Sequence, residues 1–554
     1  MGIMVDADFV LHGGKVITID EKKPRAQGVA VKDGRIFWVG TGDEVKQAVG
    51  KGTQVRDLKG LTVVPGFIES HNHTLMFGLG LSAIDLTKAG SIEEILGLVR
   101  ERASRQDFGT WIIGVGYNQN ELKEKRHPTC QDLDRAAPKH LVSLRHTSAH
   151  AVVVNTLALT KAGITKDCPD PAGGKIGRDV ETGELTGLLF ESPAMKLAED
   201  HMPKPGMEDL ITALGSASQR FLAEGITSAM EAGVGINDIP LQIAAYQEAV
   251  ERGVLRVRHN LAVWSEAVFD YTRFDESLEE AKTKLLGLGI RSGLGNERLR
   301  IGPFKIIVDG AFSTVTAVTY EPYGVDPNDR GCGVLVIEPE KLARLASRVH
   351  SLGWQLSIHG IGDRAIDVCL DAFEAALSSA PRDDARFRLE HCTMVLPRMF
   401  ERLKRLGVVP VLQPGFLWEL GDNWFRQLGK EKCSRFKPFR SLLKNNIPIA
   451  FSSDRPVVSG APLLGIHAAV NQKTRTGQDY APEEKITSEQ ALRCYTLNGA
   501  YASFEDRIKG SIEVGKLADL VVLAEDPTQI NPEKIKDISV EATMVGGELF
   551  FQKE

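Results

Sequence analysis

The chain has 554 residues, 42% of them hydrophobic and 25% charged, with a formal net charge of −6. That is the make-up of a globular protein too long for one small core, and its slight acidity argues against nucleic acid or an anionic membrane as a partner. No apolar run approaches the ~20 residues that span a bilayer, and the seven cysteines are never spaced Cys-x-x-Cys, which argues against a disulfide framework or a cysteine-rich zinc site.

The opening MGIMVDADFV lacks the basic and apolar stretches of a secretory signal, so a cytoplasmic protein with reduced thiols is expected. Residues 1–64 read as short strands joined by glycine turns at Gly13-Gly14 and Asp33-Gly34, and residues 501–554 repeat that style. Neither piece can bury a sheet alone, so one β-sandwich built from both chain ends is expected. Residues 65–500 have a different rhythm. Apolar runs at 62–70, 225–231, 255–262, 299–308, 354–359, 387–391, 407–413 and 447–453 alternate with helical stretches such as 207–224, 239–252, 339–352, 363–380 and 487–503. Eight βα units predict an α/β fold, a (β/α)8 TIM-like barrel. The irregular region of about 107–200, rich in Pro and Gly and holding a ninth apolar run at 141–145, is assigned to an inserted lid.

Polar residues break the apolar runs near their carboxyl ends, where barrel enzymes carry their chemistry. The first run ends in His71-Asn72-His73, and residues two apart on a strand share a face. Chance supplies roughly 0.3 such pairs from 13 histidines, so this motif is weak by itself. The fourth run holds Lys305, the fifth ends in His359, the sixth in His391 and the eighth in Asp454. Singly, each has an ordinary reading as a hydrogen-bonding strand end, a turn cap or a paired lysine. Together they would place six accidents on one rim. Four imidazoles and a carboxylate form the nitrogen and oxygen donor set that suits Zn2+, Mn2+, Fe2+ or Co2+.

In order along the chain stand VPGFIESHNH, GYNQN, HAVVVNTLAL, GGKIGRD, GELTGLLFE, GITSAMEAG, FKIIVDGAFS, SIHGIGDRAID, RLEHC, FSSDRPV and SIEVGKLADLVVL. This series resembles the amidohydrolase superfamily, and within it amidohydrolase family 3, which includes the N-substituted formamide deformylases. The resemblance implies a metal-dependent hydrolase with a terminal β-sandwich. In it His71, His73 and Asp454 would hold one metal, and His359 and His391 a second. Lys305, carboxylated on its side-chain nitrogen, would bridge them, and Asp454 would serve as general base and acid. Asn118, Gln119, His150 and Asn155 lie in family-like stretches of the insertion and are candidates to line a substrate pocket, with a fold-stabilising polar network as the competing role. Asp309 either forms a turn or touches substrate.

The expected activity is hydrolysis of an amide or formamide-like C–N bond in a small-molecule substrate by a metal-activated hydroxide, in a homodimer or larger homo-oligomer. Two alternatives stay open: a single-metal deaminase of a heterocycle, and a non-catalytic metal-binding regulatory barrel.

Overall fold

Eight parallel strands, taken in chain order, form the central sheet: β1 Phe67–Asn72, β2 Ile226–Val234, β3 Arg258–Trp264, β4 Leu299–Ile307, β5 Leu356–Gly360, β6 Arg388–His391, β7 Val409–Leu412 and β8 Ala450–Phe451. Each is hydrogen-bonded in parallel to its predecessor, without a change of order. The barrel is therefore the expected one. The computed structural model describes residues 6–119, 121–146, 151–171, 174–235, 238–269, 274–275, 289–312, 316–322 and 331–553. They fall into two units, 1–75 with 214–554, and 76–213. No helix among the described residues is long and apolar enough to cross a membrane.

The helices outside the barrel show why the pattern was readable. In Pro339–Ser351 the buried residues Leu342, Leu345, Ala346 and Val349 recur every three or four positions, one stripe of an amphipathic helix. Asp363–Ser379 buries a wider face, including Ile366, Leu370, Phe373 and Ala376. The stretch 487–503 is two helices, Ser488–Cys494 and Leu497–Ala502, broken at Thr496. The second lies against β1, so close that a Cβ on Gly499 would stand 2.9 Å from Ser70 Oγ.

The run expected as one strand over 62–70 is two. Thr62–Pro65 pairs antiparallel with Leu520–Leu523, joining three strands from the carboxyl end to three from the amino end in one six-stranded sheet. A four-stranded sheet from the amino-terminal segment faces the same core, in which Leu11, Val29, Ile36 and Val63 pack with Leu520, Val522, Ala542 and Met544. After Gly66 the chain leaves that sandwich and enters the barrel as β1. The change of sheet leaves no trace in the pattern, because every residue of Thr62–Pro65 and of Phe67–Asn72 is buried. A second tie joins the two layers: Arg258 of β3 donates from Nε and Nη2 to the Asp519 carboxylate at 2.8 and 3.0 Å, with both side chains buried.

The second unit contains one six-stranded sheet, in the order Lys175–Arg178, Leu185–Phe190, Ala151–Val154, Leu141–His146, Trp111–Tyr117, Ile84–Asp85. It is sandwiched between two apolar clusters. One centres on Ile95, Leu96, Val99 and Leu133, and the other on Val152, Val154, Leu159 and Leu189.

Gly66 is needed where the chain changes sheets, since a Cβ there would meet Thr227 Oγ1 at 2.1 Å and Cγ2 at 2.5 Å. Gly66→Ala is expected to destabilise the protein by about 1–3 kcal/mol, the usual cost of overpacking. A thermal unfolding midpoint equal to that of the unaltered protein would refute this account of the junction.

Candidate metal centre

Alternation on β1 sends Glu69 and His71 to the face opposite Ile68 and Ser70, which carry the packed helix. Asn72 is structural: its Nδ2 donates to Met230 O at 3.1 Å, and Thr74 Oγ1 donates to its Oδ1 at 2.8 Å. The eighth strand stops at Phe451, and Ser452, Ser453 and Asp454 bend across to β1. There Asp454 N donates to His71 O at 2.8 Å and His73 N donates to Arg455 O at 2.7 Å. These bonds bring the Asp454 carboxylate between the two imidazoles. Its Oδ1 lies 3.4 Å from His71 Nε2 and 3.5 Å from His73 Nε2.

These distances allow a direct test of fit. Ligand atoms ~2.0–2.1 Å from a tetrahedral ion such as Zn2+ lie about 3.3 Å from one another. One donor atom from each of His71, His73 and Asp454 falls within 4.8 Å of the others, and the two distances to Asp454 match the tetrahedral spacing closely. The tautomers fit as well. His71 Nδ1 donates to Glu390 Oε2 at 2.6 Å, which leaves Nε2, the nitrogen facing Asp454, with its lone pair. The residues present therefore suit a divalent metal.

The other imidazoles join this group. The His71 ring centre is 4.9 Å from that of His391, which is 4.4 Å from that of His359. His391 Nδ1 donates to Gln413 Oε1 at 3.1 Å, and His359 Nε2 donates to Gly310 O at 3.1 Å. Each bond commits one ring nitrogen as a donor and leaves the other able to bind a cation. Burial, reinforced by neighbouring positive charge, pushes His359 down to about 3 and holds His391 well below the usual histidine range. Both are thus neutral imidazoles at neutral pH. At His73 burial also opposes protonation, but the Asp454 and Glu231 carboxylates outweigh it and hold the ring up at about 9.

Lys305, buried on β4, is pushed down to about 8 by burial, against the opposing pull of Glu390 and Asp454. In the strand register Lys305 lies opposite Ser357 of β5, two residues before His359, and Ser357 Oγ donates to Glu390. All six expected ligands thus converge at the carboxyl ends of β1, β4, β5, β6 and β8.

The expected pocket residues fare differently. Asn118 and Gln119 follow the strand Trp111–Tyr117 in the second unit, both half-buried. His150 lies outside the described residues. Asn155 does not line a pocket. It is fully buried and caps the helix Thr156–Lys161, its Oδ1 accepting from Ala158 N and Val142 N while its Nδ2 donates to His140 O. Asp309 is likewise spent on the fold. Its carboxylate accepts from Val318 N, Ile361 N and Gly362 N at 2.8–3.0 Å and lies 3.5 Å from His359 Nε2, so it ties together the loops that hold His359.

Sequence reasoning missed the residues behind the ligands. Glu390 is completely buried. Beyond His71, it accepts from Arg388 Nε and Ser357 Oγ, each at 2.7 Å. Burial alone would raise its carboxyl, but Arg388 and His71 hold it well below the usual carboxylate range. Arg388 and Glu390 share one face of β6 beside a ligand, a signal present in RLEHC. Glu231, 3.5 Å from His73 Nδ1, sits inside the apolar β2 in the same way. Gln413 ends the seventh apolar run and so carried the strand-end signal, whereas Lys437 has none.

A parallel barrel with imidazoles and a carboxylate gathered at one end defines the class of metal-dependent barrel hydrolases. The chain belongs to the amidohydrolase family, whose model matches residues 54–551. It is 31% identical over 549 residues to the putative amidohydrolase YtcJ of Bacillus subtilis (strain 168), covering 98% of this chain and 99% of that one. It is also 31% identical over 562 residues to an N-substituted formamide deformylase of Arthrobacter pascens, covering 99% and 98%. Among solved structures, an uncharacterized metal-dependent hydrolase from Pyrococcus horikoshii OT3 superposes with a TM-score of 0.75 at 26% identity, over 95% of this chain and 99% of that one.

If Glu390 sets the donor strength of His71, Glu390→Gln is expected to weaken Zn2+ binding about 10–100-fold, the usual effect of removing a partner behind a ligand. Competition with a chromophoric chelator measures it, and an affinity equal to that of the unaltered protein would remove Glu390 from the centre.

Proposed function

We propose that the protein hydrolyses the C–N bond of an N-substituted formamide or a related small amide, releasing an amine and a carboxylate. In this reading His71, His73 and Asp454 hold one divalent ion and His359 and His391 hold a second. Lys305, as its carbamate, would supply a further anionic ligand, and Zn2+ is the ion that best matches the donor set. The supporting observation is the convergence of His71, His73 and Asp454 at ion-sharing distances, in a chain that is similar over its whole length to a formamide deformylase. When bound, such an ion polarises a carbonyl and lowers the pKa of a water toward neutrality.

The chain's own residues do the rest. The Asp454 carboxylate is held well below its usual range because the neighbouring His71 and His73 rings outweigh its burial, so it is ionised and able to accept a proton. It takes that proton as the oxygen of water bonds to the acyl carbon, and returns it to the nitrogen as the C–N bond breaks. The water thus supplies hydroxyl to the acyl product and hydrogen to the amine. Glu390 keeps His71 in one tautomer throughout. Lys305, with its pKa lowered to about 8, has a sizeable neutral fraction near neutral pH. The neutral amine is the form that bonds to CO2, with loss of a proton to solvent.

Metal-reconstituted protein assayed against N-formyl amines, N-acyl amines, carbamates and cyclic amides is expected to release formate from the first group. Metal-loaded protein that turns over nothing in the panel would reject the proposal. Asp454→Asn is expected to lower kcat by roughly 10²–10⁴-fold, the usual contribution of a positioned acid–base group. Lys305→Ala is expected to fold normally but to lose both metal and activity. Elemental analysis showing undiminished metal in that variant would remove Lys305 from the ligand set.

A further inference from the structure

We propose that Lys437 is a positioning residue for His391, clamping both the strained backbone turn that carries this imidazole and the amide that orients its ring. The inference rests on the reading that His391 holds an ion. At the end of β6 the chain turns through two consecutive non-glycine residues in the left-handed region, His391 with φ 68° and Cys392 with φ 40°. Such conformations are disfavoured for residues with a Cβ and persist only where the surroundings impose them. Here the imposing group comes from 46 residues further along. Lys437 is completely buried, and its Nζ donates to His391 O at 3.3 Å, Thr393 Oγ1 at 3.4 Å and Gln413 Oε1 at 3.1 Å. Its backbone N also donates to Thr393 O at 2.8 Å. One residue thus grips both ends of the strained turn.

The third of these bonds reaches the ring. Gln413 Nε2 donates to Val411 O at 3.2 Å and to Ser452 Oγ at 2.9 Å, while its Oε1 accepts from Lys437 and from His391 Nδ1. With two acceptors on one side and Lys437 on the other, the amide has one satisfied orientation. In it His391 must donate from Nδ1, which leaves Nε2 as the nitrogen with a free pair. Among the described residues no carboxylate lies within ion-pairing distance of Lys437. Its side chain packs instead on the Phe416 ring, 5.2 Å from the ring centre. A buried lysine without a carboxylate partner is costly to the fold, and a clamp on a ligand explains its presence where a packing role would not.

The test measures Zn2+ stoichiometry and affinity by equilibrium dialysis, for the unaltered protein, Lys437→Met and the double variant Lys437→Met/Cys392→Gly. The unaltered protein is expected to bind two ions. Lys437→Met should keep the ion at His71, His73 and Asp454, while affinity for the second falls about 10–100-fold, as for other partners behind a ligand. A lysine that only fills space would lower the thermal midpoint without separating the two affinities. Cys392→Gly should restore part of the second affinity, because glycine adopts the left-handed turn without strain. An unaltered protein that binds a single ion overturns the proposed two-ion centre and this inference with it. Two ions bound equally well by the unaltered protein and by Lys437→Met overturn this inference alone, as does a double variant no better than Lys437→Met. If Lys437→Met does not fold, Gln413→Leu tests the clamp from its acceptor side: loss of the second ion supports it and full retention overturns it.

Discussion

The seam between β8 and β1 is the constraint on which the rest depends. These two strands share no ladder among the described residues, and the barrel closes through backbone bonds from Asp454 N to His71 O and from His73 N to Arg455 O. Ser453 N adds a bond to Glu69 Oε1 at 3.0 Å. Closure and ligand placement are therefore one event. Closing the barrel brings the Asp454 carboxylate between two imidazoles, and the backbone that carries the three donors is held by main-chain bonds. Asp454 itself sits at φ 59°, a left-handed conformation that the seam must hold against its own preference. A centre assembled this way is preorganised, which is what electrostatic catalysis requires.

Charge burial explains why so many polar residues accumulate beneath that seam. An isolated ion in the interior is strongly disfavoured, and removing one partner of a buried pair costs more than the pair contributes. Glu390 is tolerable because Arg388, Ser357 and His71 saturate it. Glu231 is tolerable because Tyr246 Oη at 2.7 Å and Leu75 N at 3.1 Å donate to one oxygen while His73 faces the other. Arg388 in turn donates from Nη2 to Ser70 O at 2.7 Å, on β1 between Glu69 and His71. The network thus ties β6 to β1 across the barrel interior, and the ligands inherit its rigidity.

Much of this was legible in the sequence. A parallel strand buried on both faces is a short apolar run, and a polar residue ending such a run stands out. That is why the strand count could be read in advance, and why His71, His73, Lys305, His359, His391 and Asp454 stood out near the strand ends. The switch of sheets at Gly66 could not, because residues on both sides are equally buried and a pattern of burial carries no sheet identity. For Asn155 the structure selects the competing, fold-stabilising role, and its signal was present: an Asn directly before a helical run is a cap before it is a ligand contact. Asp309 needed the positions of two distant loops, since its partners Val318, Ile361 and Gly362 are 9 to 53 residues away. Lys437 needed the left-handed turn at His391, and no periodicity announces such a turn.

The three histidines with defined partners are backed by groups of decreasing basicity, and this grades their strength as donors. His71 leans on a carboxylate that remains ionised, His391 on a neutral amide, and His359 on a backbone carbonyl. A carboxylate behind an imidazole stabilises positive charge on the ring and strengthens the opposite nitrogen as a donor, and an amide or a carbonyl does so less. The donor set is graded in the same direction, because Asp454 sits against His71 and His73. In the proposed two-ion centre the His359–His391 side would therefore draw more of its negative charge from Lys305 than the His71–His73 side does. In the proposed centre only Lys305 would gain its anionic charge by a covalent step. Burial lowers the pKa of its amine to about 8, so the low-dielectric interior that makes a lysine there costly also raises the neutral fraction that such a step would need.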